Sequence, residues 1–389
     1  MTGTPVGVTA AKGFRAAGVA AGLKTGGGLD VALVVNDGPG RAAAAVFTSN
    51  RVKAAPVLWS QQAVSDGVAR AVVLNSGGAN ACTGPDGFAD THASAERVAA
   101  RLGVGAADVI VCSTGLIGER LPMGLLLPGI DDAAEHLDAA GGAAAAEAIR
   151  TTDTVSKTAS HVSAEGWTIG GMAKGAGMLA PGLATMLCVL TTDADLDAAG
   201  LDGALRSAVS TTFDRLDSDG CMSTNDTVVL LASGASGVVP GQGSFAAALT
   251  AVCADLARQL LADAEGATKE IEIVVRGAAS EDDAVEVGRS VARNNLLKCA
   301  LFGNDPNWGR VLSAIGTTSA AFEPDEIDVA INGVVVCRKG SAGDDRAGVD
   351  LTGRGVVIDV DLHAGEHTAT IHTNDLSHAY VEENSAYSS

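Results

Sequence analysis

One threonine hydroxyl raises the question of chemistry. Thr185 stands where the small-residue stretch KGAGMLAPGLA (174–184) meets the apolar run MLCVL (186–190). Such a run reads as a buried strand, so the hydroxyl sits at a strand entry. Threonine is a poor nucleophile unless a base lies beside it, and the most economical base is its own α-amino group. Cutting the Ala184–Thr185 bond would release that amine, whose ordinary pKa of about 7.7–8.0 leaves a sizeable neutral fraction near pH 7. Gly175, Gly177, Pro181 and Gly182 suit a strained turn around the Ala184 carbonyl. Spacing alone does not single Thr185 out, since most threonines entering a strand are there for β-propensity.

Other stretches could serve such a nucleophile. In CSTGLIG (112–118), Thr114 and Gly115 follow a strand and form a turn able to offer a hydroxyl and a backbone N–H to an oxyanion; a plain strand-to-helix turn is the alternative. NSGGANA (75–81) is a similar loop and matches no phosphate-binding fingerprint. GNDPNWGR (303–310) offers Arg310 for a carboxylate, or else is punctuation with Trp308 packed beneath it. The C-terminal NDLSHAYVEENSAYSS (374–389) either folds back over a site or frays. The seven histidines form no pair at metal-ligand spacing on a predicted helix, and the seven cysteines include no Cys-x-x-Cys, so neither a metal site nor a disulfide framework is expected.

The elements that must carry these residues alternate irregularly. Runs at 69–81, 107–118 and 224–236 read as buried strands ending in glycine-rich turns, and alanine-rich segments at 91–103, 143–151, 202–217 and 244–266 read as helices. EIEIVVRGAAS (270–280) and EIDVAINGVVVC (326–337) have the alternation of antiparallel strands, as does 355–373, where HAGE reads as a hairpin turn. The pattern predicts a mixed α+β layered sandwich with a smaller C-terminal α/β lobe from about 270. With 47% hydrophobic and 3% aromatic residues, its core must pack through small side chains. The net charge of −20 is lopsided: 13 basic and 15 acidic residues precede Thr185, against 13 and 31 from there on. A chain so acidic suits neither nucleic acid nor an anionic membrane. With no secretory leader pattern and no run approaching 18 apolar residues, a cytoplasmic, soluble protein is expected.

Taken together, GGMAKGAGMLAPGLATMLCVLTTDA, NSGGANACTG, CSTGLIG, TFDRLDSDGCMSTNDTV, LFGNDPNWGRV and DLSHAYVEENSAYSS resemble, in order and across nearly the whole chain, the ornithine acetyltransferases (glutamate N-acetyltransferases) of arginine biosynthesis. The resemblance implies self-cleavage between Ala184 and Thr185 into an α chain (1–184) and a β chain (185–389). It implies that Thr185 takes the acetyl group of N2-acetylornithine and passes it to glutamate by a ping-pong route. Thr114 and Gly115 match the oxyanion-hole pair; Thr151, Lys174, Thr185, Glu265, Asn384 and Ser389 match substrate-binding positions. An ammonium at Lys174 suits an α-carboxylate, and Glu265 suits the side-chain ammonium of ornithine. The implied fold is a four-layer αββα sandwich resembling N-terminal-nucleophile hydrolases with different connectivity. No cofactor or metal is implied, and an α2β2 assembly is. Acetyl-CoA as a second donor stays open, as do a self-processing aminopeptidase of the same architecture and a non-catalytic amino-acid-binding protein. The sequence departs from the family pattern at Cys299, beside Lys298, away from the nucleophile.

Overall fold

A computed structural model describes residues 4–180 and 186–386. The chain divides into two compact units, one built from 1–176, 182–214 and 222–260, the other from 177–181, 215–221 and 261–389.

In chain order the first unit contains β1 (Phe14–Val19), β2 (Val31–Asn36), β3 (Ala43–Phe47), α1 (Ala55–Ala63), β4 (Ala71–Ser76), α2 (Gly84–Leu102), β5 (Val109–Thr114), α3 (Met123–Glu135) and α4 (Gly142–Ala148). There follow β6 (Lys157–Val162), β7 (Thr168–Lys174), β8 (Leu187–Thr192), α5 (Ala198–Thr211), β9 (Thr227–Ala232) and α6 (Gln242–Ala262). Two sheets form, ordered β1-β2-β4-β5 and β3-β9-β8-β7-β6. Strands β2, β4, β5, β8 and β9 are buried at every position. That explains their unbroken apolar character, since a sheet covered on both faces has no reason to alternate.

The facing sides of the sheets share one core, with Val34, Val72, Leu74 and Ile110 meeting Met172, Leu187, Val189 and Val229. The far side of the first sheet is covered by α2 and α3 through Val98, Leu126 and Ile130. On the far side of the second, Val252 and Leu256 of α6 lie so close to Gly171 of β7 that a Cβ there would meet Leu256 at 3.1 Å. The unit is therefore helix, sheet, sheet, helix, and the mixed α/β class holds. Helix α6 is, among the described residues, the one helix long and apolar enough by composition to cross a membrane, although no apolar run of that length stood out in the sequence. Half of its apolar window is buried.

The second unit contains β10 (Glu270–Ala278), α7 (Glu281–Ala292), α8 (Asn295–Phe302), α9 (Trp308–Ile315), β11 (Asp328–Ile331), β12 (Val334–Arg338), β13 (Ser341–Ala342), β14 (Gly355–Asp361), β15 (His367–Asn374) and α10 (His378–Ala386). Its sheet runs β13-β12-β11-β14-β10-β15, with Trp308 packed against the core. Asn332 and Gly333, at φ 46° and 83°, close the β11–β12 hairpin, as the two left-handed positions of a tight hairpin turn require.

Two expectations fail. HAGE (363–366) is not a hairpin turn, because β14 and β15 both pair with β10, which lies between them. The loop instead passes over the end of β10, where Ala364 and Gly365 donate to the Gly277 carbonyl. The helix expected over 202–217 is α5, starting earlier on its Asp197 cap and ending at Thr211.

Candidate active site

Alignment of strand ends builds the site in the first unit. β4 and β5 run parallel, with Ser76 beside Thr114, so both deliver their loops to one edge. The N–H groups of Gly77 and Gly78 each donate to the Thr114 carbonyl at 3.0 Å. Gly115 has φ 131°, and a Cβ on it would lie 2.5 Å from Gly78 N, so only glycine fits. Asn225, just before β9, reaches across from the second sheet and donates to Ala79 O and Ser113 O at 2.6 and 2.8 Å. Ser113 donates to Asn75, which in turn holds Gly78 O. These bonds lock the STG and NSGG turns together.

Lys174 ends β7, and its side chain is buried. Its Nζ donates to Thr151 Oγ1 at 2.8 Å and to Thr114 Oγ1 at 3.3 Å, and lies 3.8 Å from Asp153 Oδ2. Asp153, also buried, pairs with Lys157 at 2.7 Å and accepts the N–H groups of Gly175 and Thr151. Burial opposes its ionisation. The Lys174 and Lys157 ammonium groups and the Gly175 N–H outweigh that and hold its carboxyl well below the usual carboxylate range. Because Thr114 Oγ1 accepts from an ammonium, its own proton is left to donate.

Of the sequence candidates, Thr114, Gly115, Thr151 and Lys174 are gathered here. Thr185 and Ala184 lie outside the described residues, as does Ser389. The register nevertheless sets Lys174 of β7 opposite Leu187 of β8, two positions after Thr185 in the chain. Beyond the junction, Met186 N donates to Asp226 Oδ1 at 3.0 Å.

In the second unit Asn384, on α10, donates to Glu265 Oε2 at 2.9 Å. The Glu265 carboxylate lies over Gly177, where a Cβ would come within 2.5 Å of Oε2. Gly266, at φ 61°, lets α10 approach so closely that a Cβ would meet Tyr380 N at 2.2 Å. Residues 378–386 of the C-terminal stretch are therefore a docked helix. Lys298 is buried and donates to Ser218 O, Thr373 Oγ1 and Asn374 O. Burial brings its pKa down to about 8 against the pull of Asp217 and Asp219. Arg310 donates to the Leu296 carbonyl in the first turn of α8.

Asp153, Lys157, Asn225 and Asp226 had no role assigned from the sequence. The first follows Thr151 in TTD (151–153), and the last two stand in STNDT (223–227); only burial sets them apart from other polar residues.

Comparison with known proteins adds a family. Residues 15–389 match the model of the ArgJ family. The chain is 69% identical over 382 residues to the arginine biosynthesis bifunctional protein ArgJ of Streptomyces avermitilis, covering 98% of this chain and all of that one. It is 67% identical over 381 residues to the protein of that name from Thermobifida fusca, covering 98% and 99%. A solved structure of ornithine acetyltransferase complexed with ornithine, from Mycobacterium tuberculosis, is 61% identical over 46% of this chain and 95% of its own, with a TM-score of 0.45.

Proposed function

We propose a function for this chain from one premise: it belongs to the ArgJ family. It is an acyltransferase of arginine biosynthesis, moving acetyl from N2-acetyl-L-ornithine to L-glutamate. The observation that carries this reading is the buried Lys174, bonded to both Thr151 and Thr114 and set across the sheet from the strand that Thr185 leads into. An ammonium bonded to two hydroxyls beside a glycine turn suits a carboxylate-bearing acyl donor and a developing oxyanion.

In this reading the chain cuts itself between Ala184 and Thr185, giving chains of 1–184 and 185–389. Thr185 Oγ attacks the acetyl carbonyl while its α-amine takes the hydroxyl proton. Thr114 Oγ1–H and the Gly115 N–H hold the oxyanion. The C–N bond breaks, the proton passes to the departing amine of ornithine, and an acetyl ester remains on Thr185. The α-amine of glutamate then attacks the ester, and N-acetylglutamate leaves with Thr185 restored. Thr151 and Lys174 bind the substrate α-carboxylate, while Glu265, Asn384 and Ser389 serve the side-chain end. The two chains assemble as α2β2. The relatives are named bifunctional, and acetyl-CoA is the second acetyl donor proposed here.

Denatured intact mass of the purified protein beside a Thr185→Ala variant comes first. Two fragments in the wild type and one chain in the variant support the reading; a wild type that stays whole defeats it. Incubation with acetylornithine, with and without glutamate, separates transfer from hydrolysis. Acetate release that ignores glutamate would favour an amidohydrolase of the same architecture.

A further inference from the structure

The fold of the first unit leaves one arginine over. Arg70 stands just before β4, and its buried Nε has no hydrogen-bond partner among the described residues. Native proteins seldom leave such a donor unsatisfied. Arg70 lines a cavity of about 240 Å³ together with Arg15, Asp37 and Arg101. The first sheet brings these residues to one end. Arg15 of β1 lies opposite Val35 of β2, Val35 lies opposite Ala71 of β4, and Asn36 N donates to the Arg70 carbonyl at 2.9 Å. Arg101 comes from the last turn of α2. The cavity is thus at the start of β4, whereas the NSGG turn follows the other end of that strand. Its 6 residues, at about 3.3 Å each, put the cavity roughly 20 Å from that turn.

We propose that this cavity binds the carboxylate of a small molecule with an apolar body, and that Arg70 Nε is the donor that holds it. A guanidinium meets a carboxylate through parallel N–H bonds, a match that no other cationic side chain offers. Counting charges selects that group. Arg15 is already paired with Asp37 at 2.6 and 3.1 Å, and Arg101 with Glu135 at 2.6 Å. Of the cations lining the cavity, Arg70 is the one with a buried donor still to give. One such cation suits one negative charge. Helices α2 and α3 also end here, reaching the cavity through Leu102 and Ala134. The partial negative charge of a helix C-terminus works against a second negative charge on the ligand, so a phosphate dianion is the poorer match. The remaining wall is apolar, with Val35, Val104 and Leu137 beside Leu102. The body behind the carboxylate is therefore hydrocarbon. It is also short, because the volume falls below the roughly 300–1,000 Å³ usual for drug-sized ligands.

Isothermal titration of the full chain with isovalerate is the test. Two controls run beside it: isovaleramide, which keeps the body and loses the charge, and inorganic phosphate. Isovalerate should bind with a Kd on the order of 1 mM, and the amide and phosphate should each bind at least about 10-fold more weakly. No isovalerate binding in the millimolar range overturns the proposal, as does an amide or phosphate that binds equally well. Arg70→Gln locates the site. Its affinity for isovalerate should fall by at least about 10-fold, in a variant whose thermal unfolding midpoint without the probe matches that of the wild type. Undiminished binding would put the probe elsewhere, Lys174 included, and overturns the proposal. Should the variant not fold, a wild-type crystal soaked in isovalerate decides. A carboxylate within hydrogen-bond distance of Arg70 Nε is the expected result, and a cavity that holds only water overturns the assignment.

Discussion

Thr114 is the residue whose chemistry is most exposed to test. Its hydroxyl accepts from Lys174 and keeps a proton to give, so Thr114→Val preserves shape while deleting the oxyanion donor proposed for it. One such donor contributes roughly 2.7–4 kcal/mol. Kinetics should show kcat down by about 10²–10³-fold. Asp153 tests stability instead. Asp153→Asn leaves Lys157 and Lys174 facing a neutral group, and breaking a buried pair in this way costs about 3–5 kcal/mol, measurable by urea unfolding at pH 7. The sign with pH follows from the depressed folded pKa. The contribution is complete above the ordinary carboxylate range near 3.9 and is lost as pH falls below it toward the folded value. Stability of the variant should therefore fall less than that of the wild type on acidification from pH 5. Thr114 was legible in the sequence because it stands where a strand runs into a glycine turn, and Lys174 because its motif resembles that of the family. Asp153 and Asp226 were not, because a carboxylate in a sequence looks solvated until its neighbours are placed.

Turns and strands show the same division between local and long-range information. The antiparallel strands of 326–337 were readable from their alternation, and the Asn332-Gly333 turn between them is dictated locally by two successive residues at positive φ. HAGE misled because β14 and β15 are separated by β10, a pairing set by strands some 80 residues away in sequence that no turn residue announces. The STG turn provides an element-level test with its own control. Gly115→Ala places a Cβ 2.5 Å from Gly78 N at φ 131°, so the turn must open. Gly118→Ala, at φ 93°, meets nothing within 4 Å. Both should lose about 1–3 kcal/mol of stability to backbone strain. Only Gly115→Ala should also lower kcat, by an order of magnitude or more, because a shift of about 1 Å at the proposed oxyanion donor is costly. Equal activity in the two variants would remove the STG turn from the site.

At the scale of the whole chain, the order of the second sheet bears on what a cut at Ala184–Thr185 would leave behind. That order is β3-β9-β8-β7-β6. Strands β3, β6 and β7 precede the junction, whereas β8 and β9 follow it. Two ladders, β3 with β9 and β7 with β8, therefore cross between the would-be fragments, each over five or more residue pairs. The core between the sheets is also shared, since Val34, Leu74 and Ile110 come from before the cut and Leu187, Val189 and Val229 from after it. Separating the pieces would expose that core and four strand edges at once, a cost comparable with unfolding the unit. Size-exclusion chromatography of the cleaved protein in dilute buffer should accordingly give one peak containing both fragments. They should part only in denaturant, at the concentration where the unit itself unfolds. Fragments that separate in buffer with their secondary structure intact would mean that these ladders do not hold the molecule together.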